Sequence, residues 1–141
     1  MATINIQKSY PVSKKELWKW LTQDELLSQW CMTSKGFELR DGNNFVFETK
    51  ANPFWGGVFK NHLTDFVMYE SLSYDCLANK PMLTTQVTWT LSDQGGETLL
   101  SLEHSGFAWH QLLYKNMIEK GWHKMMHQHL SDKLKDTING R

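Results

Sequence analysis

The chain has no surplus of charge: 15 Lys and Arg stand against 15 Asp and Glu, and the pI is near 7.0. That balance gives no electrostatic footprint for nucleic acid or an anionic membrane, and no run of like charge marks a tail. Cysteine is scarce. Cys31 and Cys76 lie far apart and match no metal-ligand spacing. The opening MATINIQKSYPV has no apolar signal-peptide core, so both are expected as free thiols in a reducing, cytoplasmic setting. No apolar run approaches bilayer-spanning length. There is no repeat, linker or low-complexity segment, so the 141 residues are expected to form a single domain over 1–141 with one core. No Gly-x-Ser-x-Gly, no Ser-His-Asp order and no Cys with a His nearby is present, so nucleophilic catalysis has no candidate. Gly56-Gly57 and Gly95-Gly96 do not precede helices and read as turns, not phosphate cradles.

What the chain does have is rings and sulfur: 13% aromatic residues, with seven Trp and seven Met. Such a payload either packs a core or lines a cavity. Ile4 and Ile6 share one side of an opening strand. In PVSKKELWKWL, Ser13 can cap a helix, Glu16 can return the hydrogen bond, and Val12 can staple against Leu17. Thr22 and Glu25 repeat the box, so two short helices in tandem end near Trp30. Asp24 and Glu25 are accounted for by capping and the helix dipole.

From residue 37 the period becomes two. FEL breaks at the hairpin signal Asp41-Gly42-Asn43, and NFVFETK sets Phe45 and Phe47 opposite Val46 and Glu48. NPFWGG breaks the pattern, and VFKNHLTDF is a strand without a clear inward face. Leu72, Tyr74 and Cys76 alternate with Ser71, Ser73 and Asp75. Val87, Trp89 and Leu91 alternate with Thr88 and Thr90; after the turn DQGG, Leu100, Leu102 and His104 share a face. One wet and one covered face mean an antiparallel sheet, with Glu48, Glu70, Asp75 and Glu103 on the wet side.

Residues 107–138 hold no proline, and apolar residues from Leu112 and Leu113 through Met117, Ile118, Trp122, Met125, Met126, Leu130 and Leu134 to Ile138 recur at helical spacing. This long helix must cover the sheet. Gly121 in its middle costs about 1 kcal/mol against alanine, which suggests close approach of helix to sheet.

Within KGWHKMMHQHL, His123 and His127 stand one turn apart, a spacing that can present two nitrogens to one metal. Lys124 occupies the position where zinc hydrolases carry their glutamate base, and no third ligand stands out. His129 points roughly 120° away from His123 and roughly 160° away from His127, since each residue turns a helix by roughly 100°. No metal or other cofactor is therefore expected. His104 should point inward near the start of the helix, where a neutral imidazole needs a hydrogen-bond partner such as Tyr74. It reads either as a satisfied core histidine or as a polar anchor for a ligand. Trp30, Phe45, Phe47, Tyr74, Trp89 and Trp122 all project inward, with Met125 and Met126 able to make a deformable wall beside them. Together with His104 these are the candidate ligand-binding residues. No catalytic residue is assigned.

Strand, two short helices, about six strands and one long helix make an α+β domain. The stretches INIQKSYPVSKKELWKWLTQDELLSQW, VTWTL, LSLEHSGF and GWHKMMHQHLSDKL, in that order, resemble the START-like (SRPBCC, Bet v 1-like) helix-grip superfamily. Within it the chain is most similar to the family of activator of heat-shock protein 90 ATPase homologues. GGVFKNHLTDF departs from the strand usual at that point. The resemblance implies a curved sheet gripping the last helix around a cavity often used for hydrophobic ligands. The leading expectation is a binding domain, not an enzyme, for a small hydrophobic molecule, with His104 and Tyr74 as polar contacts. A chaperone-cofactor-like interaction domain is the second expectation. A cyclase, hydratase or hydrolase using the cavity is the third. Neither nucleic acid nor membrane insertion is expected.

Overall fold

The structure, a computed structural model, describes residues 2–51, 56–79 and 82–139. β1 (Ala2–Tyr10) is followed by α1 (Lys14–Thr22) and α2 (Asp24–Trp30). Then come β2 (Thr33–Lys35), β3 (Asn44–Glu48), β4 (Val58–Val67), β5 (Ser71–Asn79), β6 (Met82–Gln94) and β7 (Glu97–Phe107). A 3-10 turn at Trp109–Gln111 leads into α3 (Leu112–Lys124), which runs through a π-helical segment, Met125–Leu130, into α4 (Ser131–Asn139). The seven strands form one antiparallel sheet in the order β1-β7-β6-β5-β4-β3-β2, with β1 and β2 as its edges. The sheet curves without closing, and the C-terminal helix lies in its concavity. This is the α+β helix-grip architecture.

Alternation does place the inward face. Ile4, Ile6, Phe45, Phe47, Leu72, Tyr74, Cys76, Val87, Trp89, Leu91, Leu100, Leu102 and His104 are all buried. The β6–β7 hairpin turns on Gly95 and Gly96, both at positive φ (60° and 96°), which a two-residue primed turn demands. On the outer face Glu48 pairs with Lys35 at 2.8 Å and Glu103 is exposed, whereas Glu70 lies in the turn before β5, not on the strand, and pairs with Lys14 at the start of α1.

Several local expectations are corrected. Phe37-Glu38-Leu39 is loop, and the strand before the hairpin is Thr33–Lys35, paired with Val46–Glu48. Asp24 causes the shift. Its carboxylate accepts from Ser34 Oγ (2.6 Å) and from the amides of Gly36 (2.9 Å) and Phe37 (3.2 Å), so it organises this loop rather than capping α2. Asn43 holds the other side, accepting from Glu38 N at 2.9 Å and donating to Gly36 O at 3.1 Å. Ser13 caps α1 as expected, accepting from Glu16 N at 3.1 Å, but the Glu16 carboxylate accepts from Trp20 Nε1 instead of returning the bond. Thr22 caps nothing: it ends α1, and its hydroxyl donates back to Trp18 O.

β4 resisted assignment because a register shift between Leu63 and Asp65 breaks its alternation. Phe59, Asn61 and Leu63 face inward before that point. Of the NPFWGG breaker only Gly56 and Gly57 lie within the described residues. β7 extends through Phe107, so the helix starts later than its apolar pattern suggests. Leu112 (41% exposed), Leu113 (84%) and Ile138 (40%) do not belong to the buried stripe. Gly121 is not a close-approach glycine, for a Cβ added there would meet nothing within 4 Å. Among the described residues no helix is long and apolar enough to cross a membrane.

Candidate functional site

Helix and sheet meet on one side and part on the other. On the closed side Met126, Leu130 and Leu134 are fully buried, and Trp30 meets Trp89 edge to face at 6.1 Å. Trp30 Nε1 donates to Trp20 O at 2.9 Å, which locks α2 into the seam. Tyr10 Oη donates to Met126 O at 2.7 Å, tying the end of β1 to the π-helical segment. Burial raises the Tyr10 hydroxyl above the ordinary phenol range.

On the open side lies a cavity of about 350 Å³. Its sheet wall is Phe47, Phe59, Tyr74, Cys76, Val87 and His104. Its helix wall is Ile118, Gly121, Trp122 and Met125, and Cys31, Met32, Thr49, Lys124 and His129 complete the lining. Hydrogen bonds hold the large rings back from this space. Trp122 Nε1 donates to His104 Nδ1 at 3.0 Å, and Trp89 Nε1 donates to Tyr74 Oη at 3.1 Å. Because an indole nitrogen only donates, His104 Nδ1 accepts and its proton sits on Nε2. That N–H donates to Thr85 Oγ1 at 2.7 Å, and the Thr85 hydroxyl donates on to Cys76 O at 3.4 Å. Indole, imidazole, hydroxyl and carbonyl thus form one pinned chain across the seam.

The electrostatics of the deep walls are neutral. Burial pushes the His104 imidazole down to about 3, so it is uncharged at physiological pH. Burial likewise pushes the thiols of Cys31 and Cys76 up to about 12, and the Tyr74 hydroxyl stays well above its usual value for the same reason. Protonated thiols are weak nucleophiles and weak metal ligands. Both cysteines are free.

The structure separates the expected site residues into two groups. Phe47, Tyr74, His104, Trp122 and Met125 line the cavity. Trp30, Phe45, Trp89 and Met126 pack in the core beside it. Tyr74 is not the partner of His104; Thr85 and Trp122 are. Both imidazole nitrogens are therefore engaged, as the satisfied-core reading requires. Tyr74 Oη accepts from Trp89, and its own proton has no acceptor among the described residues. His123 and His127 do approach, with ring centroids 5.2 Å apart, but on the exposed side of the helix. Among the described residues no third His, Cys, Asp or Glu joins them.

Among the lining residues that sequence reasoning missed are Phe59, Ile118, Gly121, Lys124 and His129. Four of them were within reach, because Ile118, Trp122, Met125 and His129 form one stripe at helical spacing, with Gly121 and Lys124 at its edges. Phe59 was hidden by the irregular register of β4.

An unclosed antiparallel sheet, a long helix in its concavity and an apolar space between them define the START-like, helix-grip class. Within that class, the chain belongs to the family described as activator of Hsp90 ATPase homolog 1-like protein, which matches residues 11–137. It is similar to protein MLL2253 of Mesorhizobium loti (25% identity over 96% of this chain and 98% of that one, TM-score 0.84). It shares its fold with the Aha1 dimer of Colwellia psychrerythraea (18% identity, 95% and 96% covered, TM-score 0.79). CalU16 of Micromonospora echinospora has the same fold (22% identity, 96% and 78% covered, TM-score 0.74). Among curated proteins none matches the chain.

Proposed function

We propose that the chain is a single cytoplasmic binding domain that holds a small hydrophobic molecule between the sheet and α3. The observation that carries this reading is the cavity of about 350 Å³ whose walls are rings, thioether and aliphatic groups. That volume falls within the range of small-molecule sites. Apolar ligand area leaving water contributes roughly 25 cal/mol per Å², and the Tyr74 proton, which has no acceptor among the described residues, offers one hydrogen bond to orient an acceptor oxygen on the guest. His104 contributes by holding Trp122 in place, not by touching the ligand with a free nitrogen. The balanced charge and the absence of a spanning helix among the described residues fit a small-molecule partner rather than nucleic acid or bilayer. The test is a panel of sterols, fatty acids, flavonoids and polyketide-like aromatics, read by tryptophan fluorescence and thermal shift. The reading expects at least one class to quench Trp122 and raise Tm; silence across the panel overturns it.

A second reading, a chaperone-cofactor-like interaction domain, is favoured by the family description and by the exposed apolar side chains of Trp109 (67%) and Leu113 (84%) at the start of α3. Pull-down of a cognate chaperone with a change in its ATPase rate supports it, whereas an unchanged rate favours the carrier. Enzymatic use of the cavity gains no such support. Its described lining holds no carboxylate, both His104 nitrogens are engaged, and its thiols stay protonated.

A further inference from the structure

The polarity of the cavity changes from floor to rim, and this narrows the ligand class. Every titratable group in its depth is neutral: His104 is saturated by Thr85 and Trp122, and Tyr74, Cys31 and Cys76 keep their protons. Among the described lining residues, charge enters only where the helix wall reaches solvent. There Lys124 is exposed, His129 is half-buried beside it, and no Asp or Glu is among the described lining residues. Lys124 makes no ion pair among the described residues, unlike Lys115 on the same helix, which pairs with Glu119 at 3.0 Å. A cation at the rim of a low-dielectric cleft, with no acid paired to it among the described residues, produces a positive potential directed along the entrance.

Resting on the binding function proposed above, we propose that the guest is an anionic amphiphile. Its apolar body lies against Ile118, Gly121 and Trp122, and its carboxylate or sulfonate head is held at the rim by Lys124. The π-helical segment begins immediately after Lys124, and Met125 and His129 within it line the same cavity. Gly121 leaves room on the helix wall, since a Cβ there meets nothing within 4 Å.

The experiment compares two fluorescent probes with one ring system, anilinonaphthalene sulfonate and uncharged N-phenylnaphthylamine. Each is titrated into the full chain at neutral pH and low salt. The proposal expects the sulfonate to bind more tightly by about two- to fivefold, a partly exposed ion pair's worth. That advantage should shrink at high salt, converge to parity in Lys124→Gln and invert in Lys124→Glu. Gly121→Leu, checked for folding by circular dichroism, fills the cavity and should abolish binding of both probes. Equal affinities in the unaltered chain overturn the proposal and leave the cavity function standing. A sulfonate preference that survives Lys124→Gln also overturns it, because the head is then held elsewhere. Binding that survives Gly121→Leu in a folded variant places the probes outside the cavity and overturns it too. If neither probe binds, the proposal is overturned, while the carrier reading stands or falls on the panel named above.

Discussion

One helix makes two kinds of contact with the same sheet. Along Met126, Leu130 and Leu134 the seam is filled: α2 inserts Trp30 between the layers, the three helix residues are fully buried, and Tyr10 ties the backbone down. Along Ile118, Gly121, Met125 and His129 the seam stays open, although its walls are no less aromatic. The difference is not composition. On the closed side an extra element wedges in, and its ring meets Trp89 edge to face. On the open side Trp122 spends its N–H on His104, and Trp89, in the core beside it, spends its own on Tyr74 of the cavity wall. Rings so held cannot swing to fill the gap, and the helix residue that could fill it is glycine. Large residues close a seam only when their rotamers are free to interdigitate.

The comparison can be broken from the closed side first. Trp30→Ala removes the wedge and should cost about 3–5 kcal/mol in chemical denaturation, as for large-to-small changes of buried aromatics. A loss below about 1 kcal/mol would mean that α2 is not what closes the seam.

The pinned chain predicts a pH response. His104 titrates near 3 when folded and near 6.5 when unfolded, so below the unfolded value the unfolded state binds the extra proton. Stability contributed by this group is therefore intact above about 6.5 and lost as pH falls toward 3, with a slope of up to about 1.4 kcal/mol per pH unit. His104→Gln should flatten that slope in denaturation curves between those limits. An unchanged slope would place the proton uptake on other groups.

Tyr10→Phe deletes one buried hydrogen bond to the π-helical segment and should cost about 1–2 kcal/mol. The smallest expected effect is of opposite sign. Gly121→Ala adds a methyl where nothing is met and removes backbone freedom, so it should stabilise by up to about 1 kcal/mol while narrowing the cavity. Destabilisation by this change would show that the helix lies closer to the sheet at that point.

The inward face of the strands was largely legible in the sequence and the gap between sheet and helix was not, for physical reasons. Period-two alternation at Leu72, Tyr74 and Cys76, or at Val87, Trp89 and Leu91, needs only local pleating to be right, and it was. Gly121 could equally have meant contact or space, because a glycine reports a missing side chain without saying what lies opposite it. His104 could be placed inward but not partnered. Thr85 and Trp122 come from a neighbouring strand and from the helix, and alternation says nothing about which inward groups converge. Asp24 likewise looked like a cap because capping is local, while its real partners are ten to thirteen residues away.

Xenon bound in crystals of the chain under pressure is the most direct test of the open seam, since a dry apolar cavity takes up the gas and a packed interface does not. The account predicts xenon density between Ile118, Gly121 and Met125 on one wall and Phe47, Tyr74 and Val87 on the other. Rings filling that space, with no xenon beneath the helix, would contradict it.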